Sequence, residues 1–191
     1  MRLDNRLSSE GFEVTMMGID VISNEVRKIK RKYSETNPVK LCQNMKISLL
    51  HQPMGLFEGA CKGFYLQQSR KQAIVINSDL DEQFQRIILM HELGHAVLHR
   101  KLPGVKSFHD FTLFDQTSLY EYEANIFAAD FILDDQEVLR MLNDDISFFA
   151  AANTLCVPAE LLDFKFRILK RKGYQVIDPP LNARANFLKN Y

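Results

Sequence analysis

The sequence predicts an α+β fold in which a small antiparallel sheet packs on a helical bundle. Three short segments between residues 46 and 77 show the alternating or β-branched pattern of strands. Most of the remaining chain carries apolar residues at helical spacing. With 191 residues, of which 46% are hydrophobic, the chain is long enough to bury a core of its own.

The predicted organisation is one domain with a short segment on either side. Residues 1–17 show no clear period and are expected to form a flexible leader. Residues 18–175 are predicted to form the single domain. Residues 176–191, which include Pro179-Pro180, are expected to form an extended and partly mobile C-terminal tail.

The first predicted helix runs from about Ile19 to Tyr33. Its apolar face carries Ile22, Val26, Ile29 and Tyr33, and its opposite face carries Arg27, Lys28, Lys30, Arg31 and Lys32. The basic face is either a phosphate-binding patch or the solvated side of an amphipathic helix, and the second interpretation is favoured. Pro38 interrupts the pattern, and Val39–Asn44 is predicted to be another short helix.

Three strands are predicted next, at Lys46–His51, Gly63–Leu66 and Gln72–Asn77. The polar residues Gln67–Lys71 suit a hairpin connection between the last two strands, so the sheet is expected to be antiparallel. His51 is a conceivable metal ligand, but a histidine near the end of a strand is more often structural.

The helix that follows carries the sequence His91-Glu92-Leu93-Gly94-His95. Asp79 and Glu82 have the spacing of a capping box, so this helix is expected to begin near Leu80, and Pro103-Gly104 should end it around residues 100–101. Histidines four residues apart on a helix differ by about 40° of rotation and roughly 6 Å of rise, so both rings can reach one metal ion. Glu92 lies about 100° further round, where its carboxylate can act as a general base without binding the ion.

Zn²⁺ explains this motif better than chance does. The chain has only 5 histidines, and the residues around His91 and His95 are apolar on nearly all sides, so the helix should be buried. Buried imidazole and carboxylate groups are costly unless a partner such as a metal satisfies them. His99 has turned about 80° from His91 and risen roughly 12 Å, so it is expected to be a second-shell or surface group rather than a ligand.

A catalytic zinc ion needs a third protein ligand, and the segment Ser118–Asp134 offers two glutamates. An apolar arc surrounds Glu121, whereas Glu123 shares the opposite stripe with Asp130 and Asp134. Glu121 is therefore favoured as the third ligand, and Glu123 is expected on a solvated acidic face. Asn125, one turn after Glu121, is a candidate second-shell group that orients a ligand.

Two runs of residues together resemble the ImmA/IrrE family of zinc metallopeptidases. They are His91 to His99 (H-E-L-G-H-A-V-L-H) and Glu121 to Leu133 (E-Y-E-A-N-I-F-A-A-D-F-I-L). The resemblance covers roughly residues 20–175 and implies a gluzincin-like fold with Glu121 as zinc ligand. It also implies a protein of phages or integrative elements that cleaves, or promotes cleavage of, a helix-turn-helix repressor. Many members continue the second run with Met-Pro, whereas this chain has Asp134-Asp135.

The C-terminal part is predicted to contain helices at Glu137–Asn143, Ile146–Asn153 and Pro158–Lys172. The last two have helix-turn-helix proportions and end in Lys170-Arg171-Lys172, which suggests DNA binding. Basic residues in a last turn also suit the helix dipole, and the apolar residues of the final helix leave little free polar face. Direct nucleic-acid binding is therefore not favoured, and residues 137–172 are expected to complete the core or dock a partner.

Composition excludes several other classes. Lys+Arg and Asp+Glu both number 24, so the net charge gives no reason to expect a nucleic-acid or membrane partner. No apolar run has bilayer length, and the N-terminus lacks the apolar core of a signal peptide, so a cytoplasmic protein is expected. Cys42, Cys61 and Cys156 lack C-x-x-C spacing and are predicted to be reduced, mostly buried thiols.

The function predicted from the sequence is that of a zinc metalloendopeptidase. Glu92 would take a proton from the attacking water and return it to the leaving amine. The strand Ile74–Asn77, as a sheet edge, is a candidate site for an extended substrate, and Tyr120 and His109 are candidate oxyanion donors. The alternatives are a catalytically silent, metal-stabilised protein that binds its partner without cutting it, and a DNA-associated regulator that uses the C-terminal helices.

Overall fold

A computed structural model describes residues 16–100, 117–143 and 146–190. Over these residues the α+β class is confirmed, with seven α-helices, three strands and a short terminal 3₁₀ helix at Phe187–Asn190. The helices are α1 (Ile19–Tyr33), α2 (Pro38–Asn44), α3 (Glu82–Leu98), α4 (Thr117–Ile132), α5 (Asp135–Asn143), α6 (Phe148–Thr154) and α7 (Ala159–Arg171). The strands are β1 (Ser48–Gln52), β2 (Gly63–Gln68) and β3 (Lys71–Asn77). Most of the predicted leader lies outside the described residues.

The sheet is mixed, and the prediction of an antiparallel sheet is wrong for one of its two pairings. β3 is the central strand, β2 pairs with it antiparallel through the expected hairpin, and β1 pairs with it parallel. The loop from β1 to β2 carries the chain across the sheet, and the Asn77 side chain holds this loop by donating to the carbonyls of Gly55 and Cys61. The continuous apolar run from Ala73 to Ile76 suits a central strand, which is covered on both faces.

Because β3 has a neighbour on each side, it is not the edge strand that the sequence analysis offered as a substrate-binding strand. β1 and β2 form the two edges of this sheet, and β2 packs against α3. A Cβ atom added at Gly63 would come within 2.6 Å of Ile88 Cγ2, so strand and helix approach closely there.

α3 begins two residues later than the capping-box pattern predicts. The side chain of Asp81 accepts a hydrogen bond from the Phe84 amide at 2.9 Å, which makes Asp81 the N-cap. Asp79 instead accepts from the Gly55 amide at 2.7 Å and so secures the β1–β2 loop. The sequence offers both Asp79 and Asp81 as N-cap residues, and the contact of Asp79 with the β1–β2 loop is not visible in the local sequence.

Two of the three residues of the predicted solvated acidic face of α4 are buried, which is a second correction, whereas Asp134 is exposed. Glu123 and Asp130 have only 2% and 6% of their surface exposed. α1 and α7 pack over this side of α4, and Lys165 and Lys172 on or after α7 bind Asp130 at 3.0 and 3.1 Å. Helical periodicity separates two faces of a helix, but it does not show whether other helices cover both.

The C-terminal helices complete the core, as one of the two interpretations predicts. The buried face of α7 includes Leu161, Leu162, Phe164, Phe166, Ile168 and Leu169. The basic residues at its end form ion pairs within the chain, Lys170 with Asp178, Arg171 with Asp20, and Lys172 with Asp130 and Asp135. These pairs disfavour a DNA interface at this position.

The end of the predicted C-terminal tail packs on the domain rather than extending from it. Ala183, Phe187 and Leu188 are buried, and the Phe187 ring lies 5.6 Å from that of Phe164. The Ala183 amide donates to Asp163 at 2.9 Å. The few apolar residues after Pro179-Pro180 show no periodic pattern, so the sequence did not indicate their burial. They are buried because the tail packs against α7 and α4.

All three cysteines are free thiols, but only Cys42 is fully buried. Burial raises the pKa of Cys42 to about 12, so this thiol is unreactive at neutral pH. Cys61 is partly buried and Cys156 is exposed, so the expectation of mostly buried thiols holds for one position. No helix within the described ranges is both long and apolar enough to span a bilayer.

Candidate metal centre

The crossing of α3 and α4 creates the candidate site. Gly94 on α3 faces Ala124 on α4 so closely that a Cβ atom at Gly94 would lie 3.1 Å from Ala124 Cα and 3.2 Å from its carbonyl oxygen. This contact brings Glu121, one turn before Ala124, towards the histidines on α3. The absence of a side chain at Gly94 is therefore a condition for the geometry of the site.

His91, His95 and Glu121 converge at this crossing. His91 Nε2 lies 3.3 Å from one carboxylate oxygen of Glu121, and His95 Nε2 lies 3.5 Å from the other. The two Nε2 atoms are 3.1 Å apart, and one atom from each of the three residues can be chosen such that all lie within 4.8 Å of one another. Two imidazole nitrogens and a carboxylate form a donor set that fits Zn²⁺ and leaves a further coordination position.

The Asn125 side-chain amide contacts the His91 nitrogen that points away from Glu121. His91 Nδ1 lies 2.8 Å from Asn125 Oδ1, and Asn125 Nδ2 donates to the Ala185 carbonyl at 2.6 Å. Because the amide nitrogen is used by Ala185, its oxygen must face His91, so His91 Nδ1 carries a proton and donates it. Asn125 therefore contacts the His91 nitrogen that points away from Glu121, and the folded tail holds its side chain in this orientation.

The side chain of His99 contacts the His95 nitrogen that points away from Glu121. His95 Nδ1 lies 2.9 Å from His99 Nδ1, and His99 Nε2 lies 2.9 Å from Glu123 Oε2. His99 is fully buried, so of its two predicted environments the structure places it behind His95 rather than at the surface. Glu123 is the residue that sequence reasoning missed. The available signal was the third histidine at four-residue spacing, because a buried imidazole next to His95 needs a partner of its own.

Burial and neighbouring charges shift the pKa values of His91, His95 and Glu121 in different directions. Burial lowers the pKa of His95 to about 3, so this imidazole is neutral. Burial acts to lower the pKa of His91 too, but Glu121, Glu92 and Asn125 together hold it above the ordinary value. Burial acts to raise the pKa of Glu121, yet the two histidines hold it well below its usual range. In the absence of a cation, one proton shared by His91 and Glu121 therefore balances the carboxylate, and metal binding would release it.

Glu92 lies next to the cluster on the side of the sheet. Its side chain is buried, and its negative charge helps to raise the pKa of both His91 and Cys61. Glu92 is therefore close to His91 and to Cys61, which lies two residues before the start of β2. A carboxylate in this position can reach a water molecule beside the cluster without belonging to the donor set.

The remaining candidates lie elsewhere. His51 is exposed and lines a separate cleft of about 500 Å³ between α2, β1 and the start of α3. The Tyr120 ring packs against His99, with 4.8 Å between the ring centroids. His109 lies outside the described residues.

Comparisons with known proteins identify the family of this chain. The model of the family described as Peptidase_M78, IrrE N-terminal-like domain, matches residues 42–167, which contain α3 and α4. The "Uncharacterized immunity region protein 2" of Bacillus phage phi105 is 35% identical over 147 residues, which cover 76% of this chain and 89% of the relative. The "Metallopeptidase ImmA" of Bacillus subtilis strain 168 is 26% identical over 150 residues, which cover 75% of this chain and 83% of the relative. Because the match spans most of the domain and includes the residues that converge at the crossing of α3 and α4, this chain belongs to the ImmA/IrrE (peptidase M78) family of metallopeptidases.

Proposed function

We propose that this protein is a zinc-dependent endopeptidase with a gluzincin-like site, in which His91, His95 and Glu121 hold the metal ion. The observation that supports this proposal most directly is the convergence of these three side chains, with their nitrogen and oxygen atoms within 4.8 Å of one another. Membership of a metallopeptidase family supports the same reading.

Zinc bound by these residues would polarise the scissile carbonyl and increase the acidity of the attacking water. Glu92 would accept the proton of that water on its carboxylate and later deliver it to the nitrogen of the leaving amine. His91 and His95 act from their Nε2 atoms, while their Nδ1 atoms are engaged by Asn125 and His99. The outer edge of β2, which begins beside Glu92, is the strand we propose to align an extended substrate.

The proposed substrate is a helix-turn-helix repressor of a phage or integrative element, which the protein cleaves or whose cleavage it promotes. The family resemblance suggests this substrate class. The name of the relative from phage phi105, an immunity region protein, is consistent with it. The ion pairs of Lys170, Arg171 and Lys172 count against the alternative of a DNA-associated regulator.

The substitution Glu92→Gln tests the catalytic role. Purified protein is incubated with zinc and with a helix-turn-helix repressor encoded in the same genetic element, and cleavage is followed by mass spectrometry. We expect Glu92→Gln to bind zinc like the wild type and to cleave about 10²- to 10⁴-fold more slowly, because it removes the general base. Glu121→Ala should lose the zinc as well as the activity, because it removes a ligand.

The matched control is Glu82→Gln, which removes an exposed carboxylate from the first turn of the same helix and should leave cleavage unchanged. In the contrary outcome, the wild type binds zinc and the repressor without cleaving any repressor tested, while Glu92→Gln leaves this binding unchanged. That result would make the metal-stabilised binding protein the correct interpretation. Absence of zinc from the wild type would remove the basis of both.

A further inference from the structure

We infer that the β1–β2 loop (residues 53–62) is a docking element for the protein substrate, in which the exposed side chains of Leu56 and Phe57 contact an apolar patch on the repressor. This inference rests on the proposed function for the identity of the partner. The conformation and exposure of the loop are independent of that proposal, because they follow from contacts within the chain.

The tip of this loop presents two large apolar side chains to solvent. Leu56 and Phe57 have 66% and 67% of their surface exposed. Among the described residues, they are the only large apolar neighbours in sequence that are both exposed. Single exposed apolar residues are common on protein surfaces, whereas adjacent ones form a patch of the kind that contacts a partner.

The backbone on both sides of the tip is anchored to the end of β3. The buried Asn77 side chain accepts from the Met54 amide at 3.0 Å and donates to the carbonyls of Gly55 at 2.8 Å and Cys61 at 3.0 Å. Asp79 accepts from the Gly55 amide at 2.7 Å. A loop that is already held in one conformation loses less entropy on binding, so its apolar side chains favour association more strongly.

Glycines allow the tip to turn back on itself. Gly55 and Gly59 both have a φ angle of +80°, which residues with a Cβ atom rarely adopt. The Ala60 amide donates to the Phe57 carbonyl at 2.9 Å and closes the turn. A Cβ atom at Gly55 would lie 2.8 Å from the Phe57 ring, so this ring packs against the loop backbone while most of its surface stays exposed.

The loop leads directly into the strand that we propose to align the substrate. β2 begins at Gly63, where an added Cβ atom would lie 2.6 Å from Ile88 Cγ2 on α3. Ile88 and Glu92 are one turn apart on that helix and therefore share a face. A substrate that pairs with β2 beside Glu92 can continue past the start of the strand, where its surface meets the loop.

The size of the patch favours a substrate over a second copy of this chain. Leu56 and Phe57 together expose on the order of 250 Å². A stable interface buries about 800 Å² on each partner, so this patch is too small to hold a dimer. It suits a contact that adds to strand pairing along β2, and a second copy paired with that strand would cover the edge that the substrate needs.

Serine substitutions at the tip test the docking role. The repressor encoded in the same genetic element is labelled and titrated with zinc-loaded Glu92→Gln protein, which is expected to bind without cleaving, and fluorescence anisotropy gives the Kd. We expect Leu56→Ser and Phe57→Ser each to raise the Kd about 10-fold, because each removes an apolar side chain from the interface. With the catalytic glutamate restored, each substitution should raise KM more than it lowers kcat.

Two exposed apolar residues elsewhere provide matched controls. Phe149 in α6 and Ile177 after α7 are 51% and 88% exposed, and Phe149→Ser and Ile177→Ser should leave the Kd unchanged. The anchor is tested with both apolar side chains present. Asp79→Ala removes the acceptor of the Gly55 amide and should weaken binding, whereas Asp79→Asn keeps an acceptor and should bind like the wild type.

Circular dichroism establishes that each variant is folded, and sedimentation velocity gives its oligomeric state. An unchanged Kd in the double variant Leu56→Ser, Phe57→Ser overturns the inference. A wild-type dimer that dissociates in the double variant also overturns it, because the patch then contacts a second copy. If the wild type holds no zinc or cleaves no repressor, the proposed function fails, while the binding measurements on the same proteins still decide whether the loop docks the repressor.

Discussion

His91 and His95 reach the proposed metal centre from one helix, yet their outer nitrogens contact different kinds of group. His91 donates to an amide oxygen that the C-terminal segment orients, whereas His95 contacts a second histidine. In both cases the partner engages Nδ1, so that Nε2 is directed at Glu121. The two proposed ligands therefore depend on separate parts of the chain, and each can be perturbed without the other.

Two substitutions at Asn125 separate its hydrogen bond to His91 from its hydrogen bond to the tail. Asn125→Leu removes the acceptor for His91 Nδ1, so we expect zinc affinity to fall about 10- to 100-fold. Asn125→Asp keeps an acceptor and should retain most of the affinity. Both variants lose the donor to the Ala185 carbonyl, so both should be less stable by about 1–3 kcal/mol.

Zinc affinity is measured by competition with a chelator, and stability by urea unfolding of the metal-free proteins. An equal loss of affinity in the two variants would contradict the assigned role. It would instead point to displacement of the tail as the common cause.

The close packing of α3 on α4 determines whether the proposed ligands on the two helices can meet. Two of the three donor residues lie on α3 and the third on α4, so their separation follows the distance between the helix axes. That distance is small because Gly94 faces Ala124. The sheet supports the other side of α3, where β2 approaches Ile88.

Gly94→Ala tests this arrangement. Alanine should gain about 1 kcal/mol of helix propensity. Overpacking costs about 1–3 kcal/mol, and we expect the upper part of this range because the added methyl group meets the backbone of Ala124, which cannot rotate away. The variant should unfold at lower urea concentration and bind zinc more weakly, because Glu121 moves away from the histidines.

Gly18→Ala provides the comparison, because nothing lies within 4 Å of its added methyl group. Because Gly18 is the N-cap of α1, where alanine is less favourable than glycine, the stability of this variant should fall by about 1 kcal/mol, whereas its zinc affinity should be unchanged. A Gly94→Ala variant as stable as the wild type and with equal zinc affinity would show that the helices are free to separate without loss.

Buried charges connect helices from distant parts of the chain across the side of α4 that faces away from α3. Asp130 on α4 binds Lys165 and Lys172, and both lysines also bind Asp135. Burial acts to raise the pKa of Asp130, but the two lysines more than compensate and hold it below its ordinary value of 3.8. The ionised carboxylate therefore stabilises the folded state.

This network predicts how stability depends on pH. A carboxyl group whose pKa is lowered by folding contributes its full stabilisation above its unfolded pKa, and this contribution is lost as the pH falls through the folded pKa. We expect Asp130→Asn to reduce the free energy of unfolding at pH 7 by about 3 kcal/mol. This is the lower end of the range for a broken buried pair, because Lys165 keeps Asp135.

The difference between wild type and Asp130→Asn should shrink as the pH falls below about 4, where Asp130 of the unfolded wild type becomes protonated. Urea unfolding of the metal-free proteins between pH 7 and pH 2.5 measures this difference, and other titrating groups cancel because both proteins contain them. A difference that stays constant over this range would show that the charge of Asp130 is not what stabilises the fold.

Local patterns in the chain were sufficient for most of the elements and for the three side chains that converge at the candidate site. The bounds of α1 follow from its apolar face, because one side of that helix is exposed. The histidine pair on α3 and the apolar surroundings of Glu121 also follow from helical geometry over a few residues, and the structure brings all three together.

Contacts between segments far apart in sequence decided the rest. Glu123 has the local pattern of a solvated residue, but His99, 24 residues earlier, and the Met17 amide, 106 residues earlier, bury it. The parallel pairing of β1 depends on a loop that Asn77 and Asp79 secure, and the packing of the tail depends on a groove that exists only after α4 and α7 have met. Periodicity reports which side chains share a face, whereas the covering of that face is a property of the assembled fold.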